Sequence, residues 1–397
     1  MTVLQPAFAP ERRIRVGVIG ASGTGWGRLA HLPAIATIPG LEVTAVSTTR
    51  QESAQATAEE FGIPEAYDNA DALITSDAVD LVIVAVRVEH HFEVLRSVAR
   101  AGKPVYSEWP SGSNLQQTKE LRDAFAAAGV HAVTGLQARS TPGMRYIRDL
   151  VRDGYVGRVL STTLVGAGGP WGDVVDSRNA YLQDDALGGT MLTIPFGHSI
   201  DGICHVLGEF ESITGMTAIQ RPVVRLEGTD DAVTKTTPDQ VLVSGRLAND
   251  VMISAHYRGG RTAGTSFQWE VNGTDGAIVV TAQTSLQLSP LTIRGASAGE
   301  HKLRELDIPP TYRNADPSLS YAAATVAEAL LVLEHDLRHG TRFAPTFDDA
   351  VTRKKQLEAL RRAADTGVTQ HLGASNRLDQ DSSAALSSRS SNGVAVG

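Results

Sequence analysis

Between Val16 and Gly27 the chain reads Val-Gly-Val-Ile-Gly-Ala-Ser-Gly-Thr-Gly-Trp-Gly, an apolar run that breaks into closely spaced glycines. Such a turn lets the backbone approach a bound group closely, and a following helix aims its first N–H groups at an anion, here a pyrophosphate. The common G-x-G-x-x-G spacing is incomplete: Gly20 and Gly25 fit, Ser22 stands at the middle position, and Gly23, Thr24 and Trp26 fill the loop. A second group is Ser47-Thr48-Thr49-Arg50. A site for NAD generally places an acid there, on the ribose 2′-hydroxyl. Hydroxyls from Ser47 and Thr48 with the Arg50 guanidinium suit a 2′-phosphate instead, which favours NADP over NAD. The competing reading makes Arg50 a solvated loop charge.

A third group could handle protons. His198 carries an imidazole, which titrates near neutral pH, and hydride transfer needs a group that exchanges a proton with the substrate oxygen. Asp201 follows three residues later, a spacing that places both on one helix face. The alternative is that His198 and Asp201 only fix the helix to neighbouring backbone. Gln137 and Arg139 lie just beyond an apolar strand and are candidates to hold substrate hydroxyls, although Arg139 could equally close a structural salt bridge. Trp171, in Gly-Pro-Trp-Gly, offers an apolar wall for a sugar-like molecule or packing between domains. His198, Cys204 and His205 lack a fourth ligand, so no metal is expected.

The elements that must position these groups alternate along the first 135 residues. Ile14–Ile19, Val43–Val46, Asp80–Val86, Pro104–Glu108 and Val130–Thr134 read as strands. Helices are expected over Leu29–Ala36, Ser53–Phe61 and Glu89–Ala101, and another that opens on a Ser113/Gln116 capping box and ends before Gly129. Uniformly apolar strands alternating with helices imply a doubly wound parallel sheet, the Rossmann arrangement. The pattern then changes. A helix over Thr141–Asp153 and a strand over Arg158–Val165 precede strand-like runs at Gln240–Leu247, Val251–Tyr257, Phe267–Val271 and Ala277–Thr281. Turn residues Asn249-Asp250 and Gly273–Gly276 suggest antiparallel hairpins. Helices near Ser320–Arg338 and Phe347–Asp365 follow.

The fold expected is therefore α/β: a flexible N-terminus over 1–12, a dinucleotide-binding Rossmann domain over 13–136, and a C-terminal α+β domain over 137–370 built on a largely antiparallel sheet. The last two helices are candidates to pack back on the Rossmann domain, and 371–397, rich in Ser, Ala and Asn, is expected to be disordered. A chain of 397 residues exceeds what one core usually supports. Its net charge of −8 gives no reason to expect nucleic acid as a direct partner. No apolar run is long enough to span a membrane and no secretory leader stands at the N-terminus, so a cytoplasmic setting is expected. The single cysteine, Cys204, excludes an internal disulfide.

The ordered succession of motifs resembles the Gfo/Idh/MocA oxidoreductases. It rests on the Rossmann half, Ser107-Glu108-Trp109-Pro110, and Gly188-Gly189 followed by His198 and Asp201. Trp26, His31-Leu32-Pro33, Val86-Arg87-Val88-Glu89-His90-His91, Gly135–Arg139, Gly168–Gly172, Phe196–Asp201, Thr237–Gln240 and Tyr257–Gly260 bring it closer to the branch containing the yeast galactose-pathway repressor. The resemblance implies that Arg87, His91, Glu108 and Trp109 lie at the cofactor, with His91 and Glu108 near the nicotinamide ribose. It implies NAD(P)-linked hydride transfer to or from a sugar, glycoside or polyol, and a homo-oligomer. Two departures stand out: Trp109 occupies the place of the family's usual proton-transferring lysine, and Ile194 that of an aspartate. The alternative function is therefore a catalytically weak, dinucleotide-sensing regulator.

Overall fold

A computed structural model describes residues 7–9 and 11–373. Strands β1 (Ile14–Ile19), β2 (Leu41–Ser47), β3 (Glu65–Tyr67), β4 (Leu81–Val84), β5 (Val105–Glu108) and β6 (Ala132–Gly135) form one sheet in the order β3-β2-β1-β4-β5-β6. All its pairings are parallel. Helices cover both faces, which is why every residue of β4 is buried and why its sequence carries no polar alternation. The order reverses between β1 and β4, and ligands of such sheets bind outside the strand ends at that point. The glycine loop leaves β1 there.

The helices of this half are α1 (Leu32–Ala36), α2 (Gln51–Phe61), α3 (Ala70–Thr75), α4 (Val88–Arg100) and α5 (Leu115–Ala128). Two local expectations need correction. The first helix opens with a wider π turn over Gly27–His31 before continuing as α1. At α5 the cap is Asn114, not Ser113: its side chain accepts from Gln117 N at 2.9 Å, while Gln117 Oε1 accepts from Ser113 N at 2.9 Å. Reciprocal satisfaction of free helix donors is the expected logic, one residue further along.

The remainder holds α6 (Pro142–Arg152), β7 (Val159–Gly168), β8 (Val174–Val175), α7 (Gly197–Leu207), β9 (Phe210–Ala218), β10 (Val223–Leu226) and β11 (Ala232–Thr234). Next come β12 (Gln240–Leu247), β13 (Met252–Gly259), β14 (Phe267–Gly273), β15 (Ala277–Ala282), β16 (Leu291–Ala296) and β17 (Arg304–Glu305). Helices α8 (Tyr321–His339) and α9 (Phe347–Thr366) and the short β18 (Gln370–His371) complete it. The large sheet runs β17-β16-β15-β14-β7-β13-β12-β9-β18. Only its β7–β13 pair is parallel among the described residues. The β12–β13 hairpin turns on Asn249 and Asp250, both at positive φ, a conformation those side chains tolerate better than most.

One core joins the inner face of this sheet (Val241, Ile253, Tyr257, Trp269) to Phe196, Ile200 and Ile203 around α7 and to Leu357 and Leu360 of α9. Another joins β1 residues Ile14, Val16 and Val18 to Val326, Leu330, Leu333 and Leu337 of α8. Thus α8, late in the chain, fills one face of the first sheet. Arg338 at its end donates to the carbonyls of Ala9, Arg12 and Gly40. The tail expected to be disordered lies, from 374 onward, outside the described residues, whereas His371 pairs with Ser212 of β9. Among the described residues no helix is long and apolar enough to cross a membrane.

Candidate active site

The loop after β1 is shaped by contacts that tolerate no side chain. Gly20 has φ +96°, and a Cβ there would lie 2.5 Å from Ala85 O, the backbone at the end of β4. A Cβ on Gly25 or Gly27 would sit 2.8 Å from Ser22 O and 2.9 Å from Gly20 O respectively. Around Gly23 (φ +51°) the space is open. The loop closes through Gly25 N to Ser22 O at 2.8 Å and leaves Ser22, Gly23 and Thr24 exposed. The Trp26 indole N–H is buried without a partner. This is a cradle of backbone lined by a hydroxyl-bearing rim, suited to an anionic group.

At the end of β2, Ser47 and Thr48 are buried. Thr48 Oγ1 donates to Arg50 O at 2.8 Å and lies 2.6 Å from Ser53 Oγ. Arg50 stands exposed immediately before α2. The Arg87 guanidinium, exposed before α4, lies 4.5 Å over the Tyr181 ring.

Glu108, at the end of β5, holds His31 Nε2 at 2.7 Å, and His31 lies edge-on to Tyr106. The sequence reading placed Glu108 at the cofactor but missed His31, seventy-seven residues away, as its partner. His91 is placed differently from the expectation. Both ring nitrogens face backbone carbonyls, Pro110 O at 2.9 Å and Val86 O at 3.0 Å, and the neutral ring donates to one of them. Its burial pushes the imidazole pKa down.

Trp109 is buried, and its indole donates to Thr193 O at 2.7 Å. Lys354 of α9, missed in the sequence, lies 5.8 Å from the ring centre and donates to Ser113 O. Desolvation, aided by Arg361, pushes this buried ammonium down to about 7.

His198, in the first turn of α7, is 5% exposed. Its Nδ1 is buried with no partner. Burial pushes the imidazole down to about 4, opposed by the nearby charges of Glu108 and Asp201. Gln137, also buried, likewise carries an unpartnered Oε1. Buried polar atoms are nearly always satisfied, and these two are among the exceptions in the described residues.

The structure removes Asp201 and Arg139 from the roles expected of them. Asp201 takes a two-pronged contact from Arg139 (2.8 and 2.6 Å) and further donation from Arg353 at 3.2 Å. Despite complete burial its carboxyl is held at about 2, chiefly by Arg139. Such a carboxylate does not exchange protons near neutral pH. Arg139 spends its remaining nitrogen on Asp349 at 3.2 Å, and Arg353 reaches Glu209, so the set is a buried brace between the β6 loop, α7 and α9. Trp171 is also corrected: its N–H goes to Leu182 O at 3.0 Å, and the ring packs within the C-terminal core rather than forming an open wall.

Comparison with known proteins agrees with this architecture. A model of the oxidoreductase family with an NAD-binding Rossmann fold matches residues 14–136, and a model of the Gal80p C-terminal domain matches residues 142–282. The chain is 28% identical to dehydrogenase aclE of Aspergillus oryzae over 373 residues, 90% of this chain and 98% of that one. It is 27% identical to the galactose/lactose metabolism regulatory protein GAL80 of Saccharomyces cerevisiae, over 64% of this chain and 62% of the regulator. Among solved structures, Gal80p from Kluyveromyces lactis superposes with TM-score 0.81 at 23% identity, covering 92% of this chain and 95% of that one. A levoglucosan dehydrogenase complex with NADH and levoglucosan gives 0.79 at 19% identity, covering 91% and 100%. At these identities the superpositions speak for the fold alone. The two matched segments, in this order, match the chain to a Gfo/Idh/MocA branch that resembles Gal80.

Proposed function

We propose that this chain is an oxidoreductase that binds a nicotinamide dinucleotide across the β1–β4 cleft and acts on a CH–OH or C=O group of a sugar, glycoside or polyol. The observation that carries the reading is His198: a buried, neutral imidazole with a free Nδ1, beside Glu108. The residues fit the cofactor, because the loop has no room for a side chain at Gly20, Gly25 or Gly27 and the Trp26 indole N–H within it has no partner. Gly20, Ser22, Gly23, Thr24, Gly25 and Trp26 would hold the diphosphate. Ser47, Thr48 and Arg50 would hold the adenosine ribose, with Arg87, Glu108 and Trp109 toward the nicotinamide end. When bound, the nicotinamide ring supplies the site that gives or takes the hydride. His198 takes the proton from a carbinol oxygen, or returns it to a carbonyl oxygen, while Gln137 orients a hydroxyl.

NADP is the preferred form, because an exposed guanidinium at Arg50 and neighbouring hydroxyls suit a 2′-phosphate and no acid stands there. Arg50→Ala should weaken NADPH binding about tenfold and leave NADH unchanged, as read by calorimetry. Equal effects on both cofactors would refute the preference. The protein is read as a cytoplasmic homo-oligomer, a single buried cysteine fitting a reducing compartment.

The test is a panel of sugars and polyols with NADP or NAD, followed at the absorbance of the reduced cofactor. Turnover should appear and fall by at least about a hundredfold in His198→Ala. A second reading, a dinucleotide-sensing regulator, is favoured by Trp109 at the lysine place and by Asp201 locked in ion pairs. Dinucleotide binding with no turnover across the panel would select it.

A further inference from the structure

The segment Ser177–Gln183 crosses from the C-terminal half to the glycine loop. It is anchored at its start by Asp176, which accepts from Asn179 N at 3.1 Å, and at its end by Gln183, which donates to Pro170 O at 2.9 Å. From this strap Arg178 reaches the loop and donates to Thr24 Oγ1. Arg87, from the mouth of β4, donates to Arg178 O at 3.2 Å and stacks on Tyr181 of the same strap. Two guanidinium groups thus converge on the rim of an anion cradle. Neither has a carboxylate within ion-pair distance among the described residues. A carboxylate near this cluster is Glu89, which with both arginines flanks Tyr181 but pairs with neither, and a shared anion would relieve the repulsion of the like charges. A phosphate oxygen is also a far stronger acceptor for a guanidinium than the Thr24 hydroxyl.

We infer that Ser177–Gln183 is a clasp for the diphosphate of the bound dinucleotide, with Arg178 as its tip and the Arg87–Tyr181 stack as its brace. Arg178 is a binding and positioning residue, supplied to the Rossmann cradle by the other half of the chain. The inference rests on the dinucleotide reading above and adds where the diphosphate's counter-charge comes from.

The full-length chain is titrated with NADH, NADPH, ADP-ribose and 2′-AMP, following tryptophan fluorescence, at several salt concentrations. Arg178→Ala should weaken NADH, NADPH and ADP-ribose about tenfold, with a shallower dependence of log Kd on log salt. Binding of 2′-AMP, which lacks the diphosphate, should not move. Arg178→Lys should recover most of the affinity, staying within about threefold of the parent. Tyr181→Leu, which removes the brace, should shift the same three ligands in the same direction. Parent-like affinity of Arg178→Ala for NADH, or an equal loss for 2′-AMP, overturns the clasp while leaving the dinucleotide reading intact. A parent chain that binds none of the dinucleotides overturns both.

Discussion

Asp201 and His198 lie three residues apart on one helix, yet their surroundings drive them to opposite charge states. Paired guanidinium groups keep Asp201 ionised, at about 2, whereas desolvation keeps His198 neutral, at about 4. His205, on the same helix, is pushed down further, to about 3, by desolvation first and then by the charges of Arg139 and Arg148. These shifts fix how stability depends on pH. An unfolded chain protonates its histidines near pH 6.5, while the folded chain resists until about 4 and about 3. The unfolded state therefore binds more protons, and stability must fall as pH drops below 6.5. The Asp201 contribution has the same sign in a lower window, present above about 4 and lost through about 2. The urea midpoint should decline steadily from pH 6.5 to 4, and His205→Gln should flatten that decline. An unchanged slope in the variant would show that His205 is not kept neutral.

Elements that were legible in the sequence share a physical cause. A strand covered on both faces, such as β4, must be continuously apolar, and Asn249-Asp250 can take the left-handed conformations that the three-residue turn Ala248–Asp250 between β12 and β13 uses. The three-residue β3 and the two-residue β8 and β18 are too short to show periodicity, so their pairing with neighbours alone defines them. At the site the division is similar. The glycine loop is contiguous and could be read directly. The partnership of His31 with Glu108, and of Asp201 with Arg353, joins residues separated by 77 and 152 positions. No local pattern reports such distances, and a buried Lys354 looks like any solvated helix lysine. The loop also makes the sharpest prediction at this scale. Gly20→Ala sets a methyl 2.5 Å from Ala85 O at a backbone angle that alanine avoids. It should abolish dinucleotide binding, measured by calorimetry, and lower stability by about 2 kcal/mol or more. A variant that binds like the parent would show that the loop can open without consequence.

Across the whole molecule, the two large sheets are tied together by the last two helices. The Arg139–Asp201–Arg353 brace links α7 and α9, and α8 supplies apolar side chains to the core of β1. Removing residues 321–339 would expose Ile14, Val16 and Val18 on one sheet face, so the shortened chain should lose its cooperative unfolding transition in circular dichroism. A sharp transition at parent temperature would show that the first sheet is self-sufficient. Because α8 emerges from the ribosome only after more than 300 residues of chain, the first-made half must wait, with one side of its sheet uncovered, for its last partner. Synthesis therefore leaves a long interval in which that apolar face has no cover from its own chain.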